Sequence, residues 1–227
     1  MSQLNIIVTG GFGELGSAVS KALAQQGHKV CRVDFAAAPS EKSHGILDLA
    51  GVDLTKAKDC EQVITRVTEA FDGIDVLLNI AGGFSWATFE EAPISSWERM
   101  NAMNLLTAVT MTKLAMPEIR KSAAGRIINM GALGALSADA GLSAYAASKA
   151  GIHRFTEALS KELLHTPVTV NAILPSIIDT QANRNSMPDA DTNQWVTPNS
   201  IAEIISFLIS PAARSISGAL IPVSKGG

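Results

Sequence analysis

Residues 5–16 read NIIVTGGFGELG. A short β-branched run, Ile6 to Thr9, meets a cluster of glycines, after which the pattern turns helical. Gly11, Gly13 and Gly16 carry the spacing G-x-G-x-x-G of a strand–turn–helix unit that binds a dinucleotide. The first glycine permits the tight turn, the second lets backbone approach a pyrophosphate, and the third packs helix on strand. The helix N-terminus then offers free N–H groups and the positive end of a dipole to the phosphates. Glycines in such a turn also serve packing alone, so the surrounding sequence decides.

A second strand candidate, KVCRVDF (29–35), follows and ends at Asp34, 18 residues beyond Gly16. A carboxylate there accepts both ribose hydroxyls of an adenosine and repels a 2′-phosphate. Phe35 stands where a phosphate site would want a cation. NAD is therefore favoured over NADP, with NADP kept open because Arg32 shares the face of Asp34 by strand parity.

Further strand candidates are LNIIVT (4–9), ILDLAG (46–51), IDVLLNI (74–80), RIINM (126–130), VTVNAIL (168–174) and ALIPVS (219–224). Most are apolar on both faces, as a parallel sheet covered by helices requires. Helical periodicity falls near 14–26, 55–71, 96–116, 143–164 and 198–210, with Pro198 at an N-terminal position of the last. This alternation predicts one α/β domain over 1–227: a doubly wound, Rossmann-like parallel sheet of about seven strands with helices on both faces. The segments 84–97 and 179–196 follow strand carboxyl ends, the edge where such sheets bind ligands, and are expected to be substrate loops.

Composition narrows the class. With 18 Lys and Arg against 21 Asp and Glu the net charge is −3, and nothing suggests nucleic acid. Charged residues are 17% of the chain and mean hydropathy is +0.21, which demands much interior or interface. Cys31 and Cys60 lack zinc-type spacing and read as reduced, buried thiols. His28, His44 and His165 fit no metal pattern, so no metal is expected. The start, MSQLNIIVTGG, does not resemble a signal peptide, and no apolar run nears the ~18 residues of a membrane span. A cytoplasmic protein without membrane partners is the expectation.

Tyr145 and Lys149 stand four apart and share one helix face. A free phenol, with pKa ~10, exchanges protons poorly near neutrality. An ammonium ~4 Å away at an effective dielectric near ~20 favours the phenolate by up to ~4 kcal/mol. That is about three pH units, enough to make the phenol a working acid beside a hydride donor. A surface Tyr/Lys pair is the plainer reading; the glycine turn upstream argues against it.

Together these motifs resemble the short-chain dehydrogenase/reductase family over essentially the whole chain. TGGFGELG (9–16) resembles its cofactor turn, in the TGxxGxxG spacing of the extended branch. VDL (52–54) resembles the adenine-side motif, NIAG (79–82) the NNAG motif, and MNLLTAV the helix that holds Asn104. YAASK holds Tyr145 and Lys149, and NAILPSIIDT resembles the PG…T motif with Ser176 in place of Gly. The resemblance implies Tyr145, Lys149 and Asn104 as catalytic residues. It implies cofactor contacts from Gly10, Gly11, Phe12, Gly13, Leu15 and Gly16, from Asp34, Asp53 and Leu54, from Asn79, Ala81 and Gly82, from Tyr145 and Lys149, and from Pro175, Ile178 and Thr180.

One family residue is missing. The serine expected 13 positions before the tyrosine is Ala132, in NMGA. Losing a preorganised donor of this kind costs ~10²–10³ in rate. The subgroup that shares this absence resembles dihydropteridine reductase, which LPSIIDTQANRNSMPDADTNQWVTP (174–198) also resembles. A quinonoid substrate reduced at a conjugated imine needs no serine donor. Asn104 departs from that subgroup. Ser143 is a stand-in donor on one reading and a helix cap on the other.

The expected function is therefore NAD(P)H-dependent hydride transfer to a conjugated imine or carbonyl of a small planar substrate. Ala132, Trp86, Met187 and Trp195 are candidates for its pocket; Trp86, Met187 and Trp195 equally well pin their loops to the core. A generic ketone, alcohol or 3-oxoacyl reductase is the alternative, and a non-catalytic NAD(H) sensor the alternative of another class. His153, on the helix of Tyr145, reads as packing or interface. The apolar helices 96–116 and 143–164 imply a homodimer or homotetramer.

Overall fold

The computed structural model describes residues 2–40 and 45–225; His44 lies outside them. Seven parallel strands form one sheet in the order β3-β2-β1-β4-β5-β6-β7. They are β1 (Asn5–Thr9), β2 (Lys29–Val33), β3 (Ile46–Leu49), β4 (Val76–Asn79), β5 (Arg126–Met130), β6 (Thr169–Pro175) and β7 (Leu220–Val223). All seven predicted strands are present, most a residue or two shorter than their apolar runs.

Alternation along each strand divides the interior into two layers. Ile6 and Val8 of β1 pack with Val19 and Leu23 of α1 (Glu14–Gln25) and with Ile201 and Ile205 of α7 (Pro198–Ile209). Ile7 points the other way, to Val63 and Val67 of α2 (Ala57–Phe71) and Met111 of α4 (Thr107–Ile119). Each such fully buried side chain contributes ~1.5–3 kcal/mol. Cys31 and Cys60 sit free in the second layer, where burial pushes their thiols up to about 12 and about 11.

The predicted helix at 96–116 is longer and broken in type. It runs through α3 (Ile94–Asn101), a π-helical segment Ala102–Leu106, and α4. The 143–164 prediction becomes α5 (Ser143–Glu162), preceded by Leu142 without any side-chain cap, so Ser143 is not the cap expected of it. The 198–210 prediction holds: Thr197 accepts from the Ser200 N–H and Pro198 opens the helix. Residues 179–196, expected as loop, contain a short helix α6 (Gln181–Ser186) whose N-cap is the Thr180 hydroxyl.

Sheet order reverses between β1 and β4, and a crevice opens there beyond the strand carboxyl ends, as doubly wound sheets require. No helix among the described residues is long and apolar enough to cross a membrane.

Candidate active site

The crevice is a cleft of about 1770 Å³. Ligand sites usually span ~300–1,000 Å³, so it has room for a dinucleotide and a second molecule. The glycine turn forms its floor at β1. Gly10 has φ +65°, and a Cβ on Gly16 would overlap the Gly10 carbonyl oxygen, so neither position accepts a side chain without strain. The N-cap of α1 is Gly13, with no side-chain acceptor. The first N–H groups of the helix thus remain available to an anion. Thr9, which sequence reasoning passed over, locks the turn: its hydroxyl accepts the Ile80 and Ala81 N–H groups at 3.0 and 3.1 Å.

Asp34 lines the cleft past the end of β2 and is held by N–H donors from Phe12 and Ala36, each at 3.0 Å. Arg32 does not reach it. The guanidinium is 2% exposed and bonds Asp48 through both oxygens at 2.7 and 2.8 Å, with Phe12 stacked 5.4 Å from it. Arg32, the residue expected to soften the NAD preference, is thus engaged by Asp48. Gly11 packs on Arg32 and does not line the cleft. Asp53 and Leu54 line it, but the Asp53 carboxylate turns to Thr55 and Lys56; hydrogen bonds from Thr55 hold it below the usual carboxylate range. Phe12, Leu15, Ala81, Gly82, Pro175, Ile178 and Thr180 all line the cleft.

Asn79 does not. It is buried, donating to Thr112 at 3.0 Å and to Asn129 at 2.9 Å, while Asn129 donates to Thr156 at 2.9 Å. These groups tie α4 to α5 through adjacent positions of β4 and β5, a structural network rather than a ligand contact.

Tyr145 and Lys149 project from successive turns of α5 into the cleft. Lys149 is buried and donates to the Met130 carbonyl at 2.8 Å. Asn104, in the π segment, accepts the Gly83 N–H at 2.8 Å and donates to Ser148 at 3.0 Å, whose hydroxyl donates to the Tyr145 carbonyl at 2.7 Å. A Cβ on Gly82 would lie 2.6 Å from Asn104 and 3.3 Å from the Lys149 ammonium. Only glycine lets these elements converge. Asn104 itself is 1% exposed and lies behind the cleft wall.

The acidification expected of Tyr145 is reversed. Burial pushes its phenol up to about 12 and pulls Lys149 down to about 8. Desolvation is the cause in both groups, and the ammonium gives a hydrogen bond to Met130.

The family model for short chain dehydrogenases matches residues 4–191. The D-beta-hydroxybutyrate dehydrogenase of Cupriavidus necator is 32% identical, over 97% of this chain and 96% of its own length. The chain belongs to the short chain dehydrogenase family. It is accordingly an NAD(P)-dependent oxidoreductase, which tells against the sensor alternative. The 3-oxoacyl-[acyl-carrier-protein] reductase of Vibrio cholerae is 29% identical, over 97% of this chain and 95% of its own length. The solved aldohexose dehydrogenase of Thermoplasma acidophilum superposes with a TM-score of 0.88 at 23% identity, covering 97% of this chain and 92% of that one, which speaks to the fold. These relatives lend no support to the dihydropteridine reductase-like expectation.

Ala132, where the resemblance implies a serine, lines the cleft with a methyl and no hydroxyl. Its N–H reaches the buried His153 Nε2 at 3.4 Å, so His153 packs behind this segment, in keeping with one of the two roles expected of it. Trp86 and Met187 line the cleft; Trp195 is 5% exposed and pins its loop to the core instead. Phe84, not singled out from sequence, sets its ring against Tyr145 with centroids 4.9 Å apart. Nothing local in the sequence signals a contact between such distant positions.

Proposed function

We propose that this chain interconverts a carbonyl and a hydroxyl group on a small organic substrate, with NAD(H) preferred. The observation that carries the reading is the convergence of Tyr145, Lys149 and Ala132 in the cleft that also holds the glycine turn and Asp34. In reduction the carbonyl carbon gains a hydride and its oxygen a proton. The Tyr145 hydroxyl donates that proton, which its high pKa keeps in place until the oxygen draws it. A reduced nicotinamide, when bound, would supply the hydride. Lys149 would support the phenolate formed and hold the nicotinamide ribose, and Asn104 holds the 82–83 turn and α5 in register for proton return. Asp34 would hold the adenosine ribose, and the uncapped start of α1 the diphosphate.

The hydroxybutyrate and 3-oxoacyl relatives favour the oxo/hydroxy chemistry. The buried methyl of Ala132 favours a second reading, a conjugated imine or carbonyl that needs only one donor. Domain span 1–227, a homodimer or homotetramer built on α4 and α5, and a cytoplasmic setting complete the proposal. NADH oxidation at pH 7 against simple ketones, 3-oxo esters and quinonoid dihydropterin tests it. Turnover that Tyr145→Phe removes is expected, and equal rates for wild type and Tyr145→Phe would overturn it.

A further inference from the structure

We infer that the substrate of this cleft is an oxo or hydroxy acid, and that Arg99 receives its carboxylate. This deepens the carbonyl–hydroxyl reading and rests on it.

The first observation is how charge is distributed in the lining. Among the described residues, the charged groups that line the cleft are Glu14, Asp34, Asp53, Arg99, Asp139 and Lys149. Glu14, Asp34 and Asp53 belong to the cofactor half. Lys149 is buried and donates to the Met130 carbonyl. Arg99 is thus the one exposed cation of that lining, and it enters no ion pair among the described residues. An unpaired arginine is ordinary on open surface. On the wall of a ligand cleft it is a rigid set of donors that lacks an acceptor.

The second observation is where the guanidinium is rooted. Arg99 lies in the last turn of α3, and Ala102 and Met103, three and four residues on, line the cleft with it. One helix face therefore presents all three. Met103 fills the space that a Cβ on Gly83 would need, and Asn104 accepts the Gly83 N–H at 2.8 Å. Arg99 starts about 6 Å along the helix axis from that contact, on the wall it shares with Phe84 and Trp86. Phe84 sets its ring against Tyr145, and the Trp86 Nε1 donates to the Ala140 carbonyl at 3.2 Å. The proton donor and the free cation are thus linked by one fixed aromatic surface, on which the carbon chain of an acid can lie.

Asp139 gives the wall its polarity. It stands next to the Ala140 that holds Trp86, and it makes no ion pair with Arg99. A ligand anion is repelled at the turn before α5 and drawn to α3. One guanidinium matches one carboxylate through two parallel hydrogen bonds. Arg99 is a specificity-determining residue rather than a catalytic one.

The test compares pyruvate, acetoacetate and 4-oxopentanoate, each with its methyl ester, with NADH as reductant. For at least one pair the acid should exceed its ester about tenfold or more in kcat/KM, through KM, with the advantage shrinking at high salt. Arg99→Gln should bring that acid-to-ester ratio to about one, and Arg99→Lys should restore part of it. Binding is read separately by calorimetric titration of the NAD⁺-loaded protein with the same acid and ester, where no hydride is available. Heat from the acid should saturate at lower concentration than from the ester, and Arg99→Gln should remove the difference. No acid outpacing its ester, or Arg99→Gln lowering acid and ester turnover in parallel, overturns the inference. Selective binding of an acid through Arg99 without turnover of any carbonyl compound would instead sustain the carboxylate site and count against the carbonyl reading.

Discussion

The Lys149 ammonium donates a 2.8 Å hydrogen bond to the Met130 carbonyl while almost wholly removed from water. The bond fixes the cation at the end of β5, where the sheet opens on the cleft, but it does not replace the lost hydration. Burial draws the pKa from 10.5 to about 8. Between those two values the unfolded chain holds the proton more tightly than the folded one, so stability rises with pH across that window. Below pH 8 the full penalty is present, up to about 3 kcal/mol at ~1.4 kcal/mol per pH unit. Lys149→Met should therefore melt a few degrees above wild type at pH 7, with the gap closing toward pH 10, while turnover is lost. Thermal unfolding at the two pH values checks this; a Lys149→Met protein less stable than wild type at pH 7 refutes it.

Tyr145 is displaced in the opposite direction, to about 12, by burial. It stays protonated through neutral pH, which suits donation to a carbonyl oxygen. Tyr145→Phe should lower carbonyl reduction by ~10²–10⁴ with little change in NADH affinity. The wild-type rate should show no loss from tyrosine ionisation between pH 6 and pH 9. A fall with apparent pKa near 8 would report Lys149. Steady-state rates across that range, paired with fluorescence titration of NADH, separate the two groups.

Cofactor choice turns on two residues of one strand and its end. Asp34 faces the cleft, whereas Arg32 is turned under Phe12 and clamped by Asp48. No cation from β2 meets a 2′-phosphate. Wild type should prefer NADH over NADPH by at least about tenfold in kcat/KM, and Asp34→Ser with Phe35→Arg should reverse or erase that preference. Asp48→Asn alone should cost stability, because it leaves Arg32 buried without its counter-ion. A wild-type preference for NADPH would sink the argument.

Sequence made the frame legible because parallel strands buried on both faces read as near-continuous apolar runs, and runs such as IIV and VLL announce themselves. The glycine turn was equally legible, since the steric demand at Gly16 excludes other residues. What escaped depends on depth and on distant contacts. Whether Asn79 faces a ligand or Thr112, and whether Trp195 walls a pocket or fills the core, depends on how α4 and the 179–196 segment pack. The π turn around Asn104 has no local signature, because it is a single five-residue turn inside a longer helix, too short to set a period of its own. Helix α6, QANRNS, is too short and polar for periodicity, and Thr180, its cap, was read only as a cofactor contact. The acidity of Tyr145 was misjudged because spacing supplies the Lys149 charge but not the burial that opposes it.

Glu14 is the remaining charge that the glycine turn does not explain. It opens α1, where it suits the helix dipole, lines the cleft, and accepts the Gln181 N–H at 2.8 Å, tying the turn to α6 across the crevice. The diphosphate of a dinucleotide belongs at this same helix start, so the carboxylate both braces α6 and repels the ligand. The two effects separate by substitution. Glu14→Gln keeps an acceptor for Gln181 and removes the charge, so NADH should bind about three- to tenfold more tightly, with the gain shrinking at high salt. Glu14→Ala removes the brace as well, so residues 181–186 should exchange amide hydrogens faster than in Glu14→Gln while cofactor affinity gains less. Titration of NADH at low and high ionic strength, with hydrogen exchange followed over 181–186, reads both. Unchanged affinity in Glu14→Gln would place the phosphates away from this carboxylate.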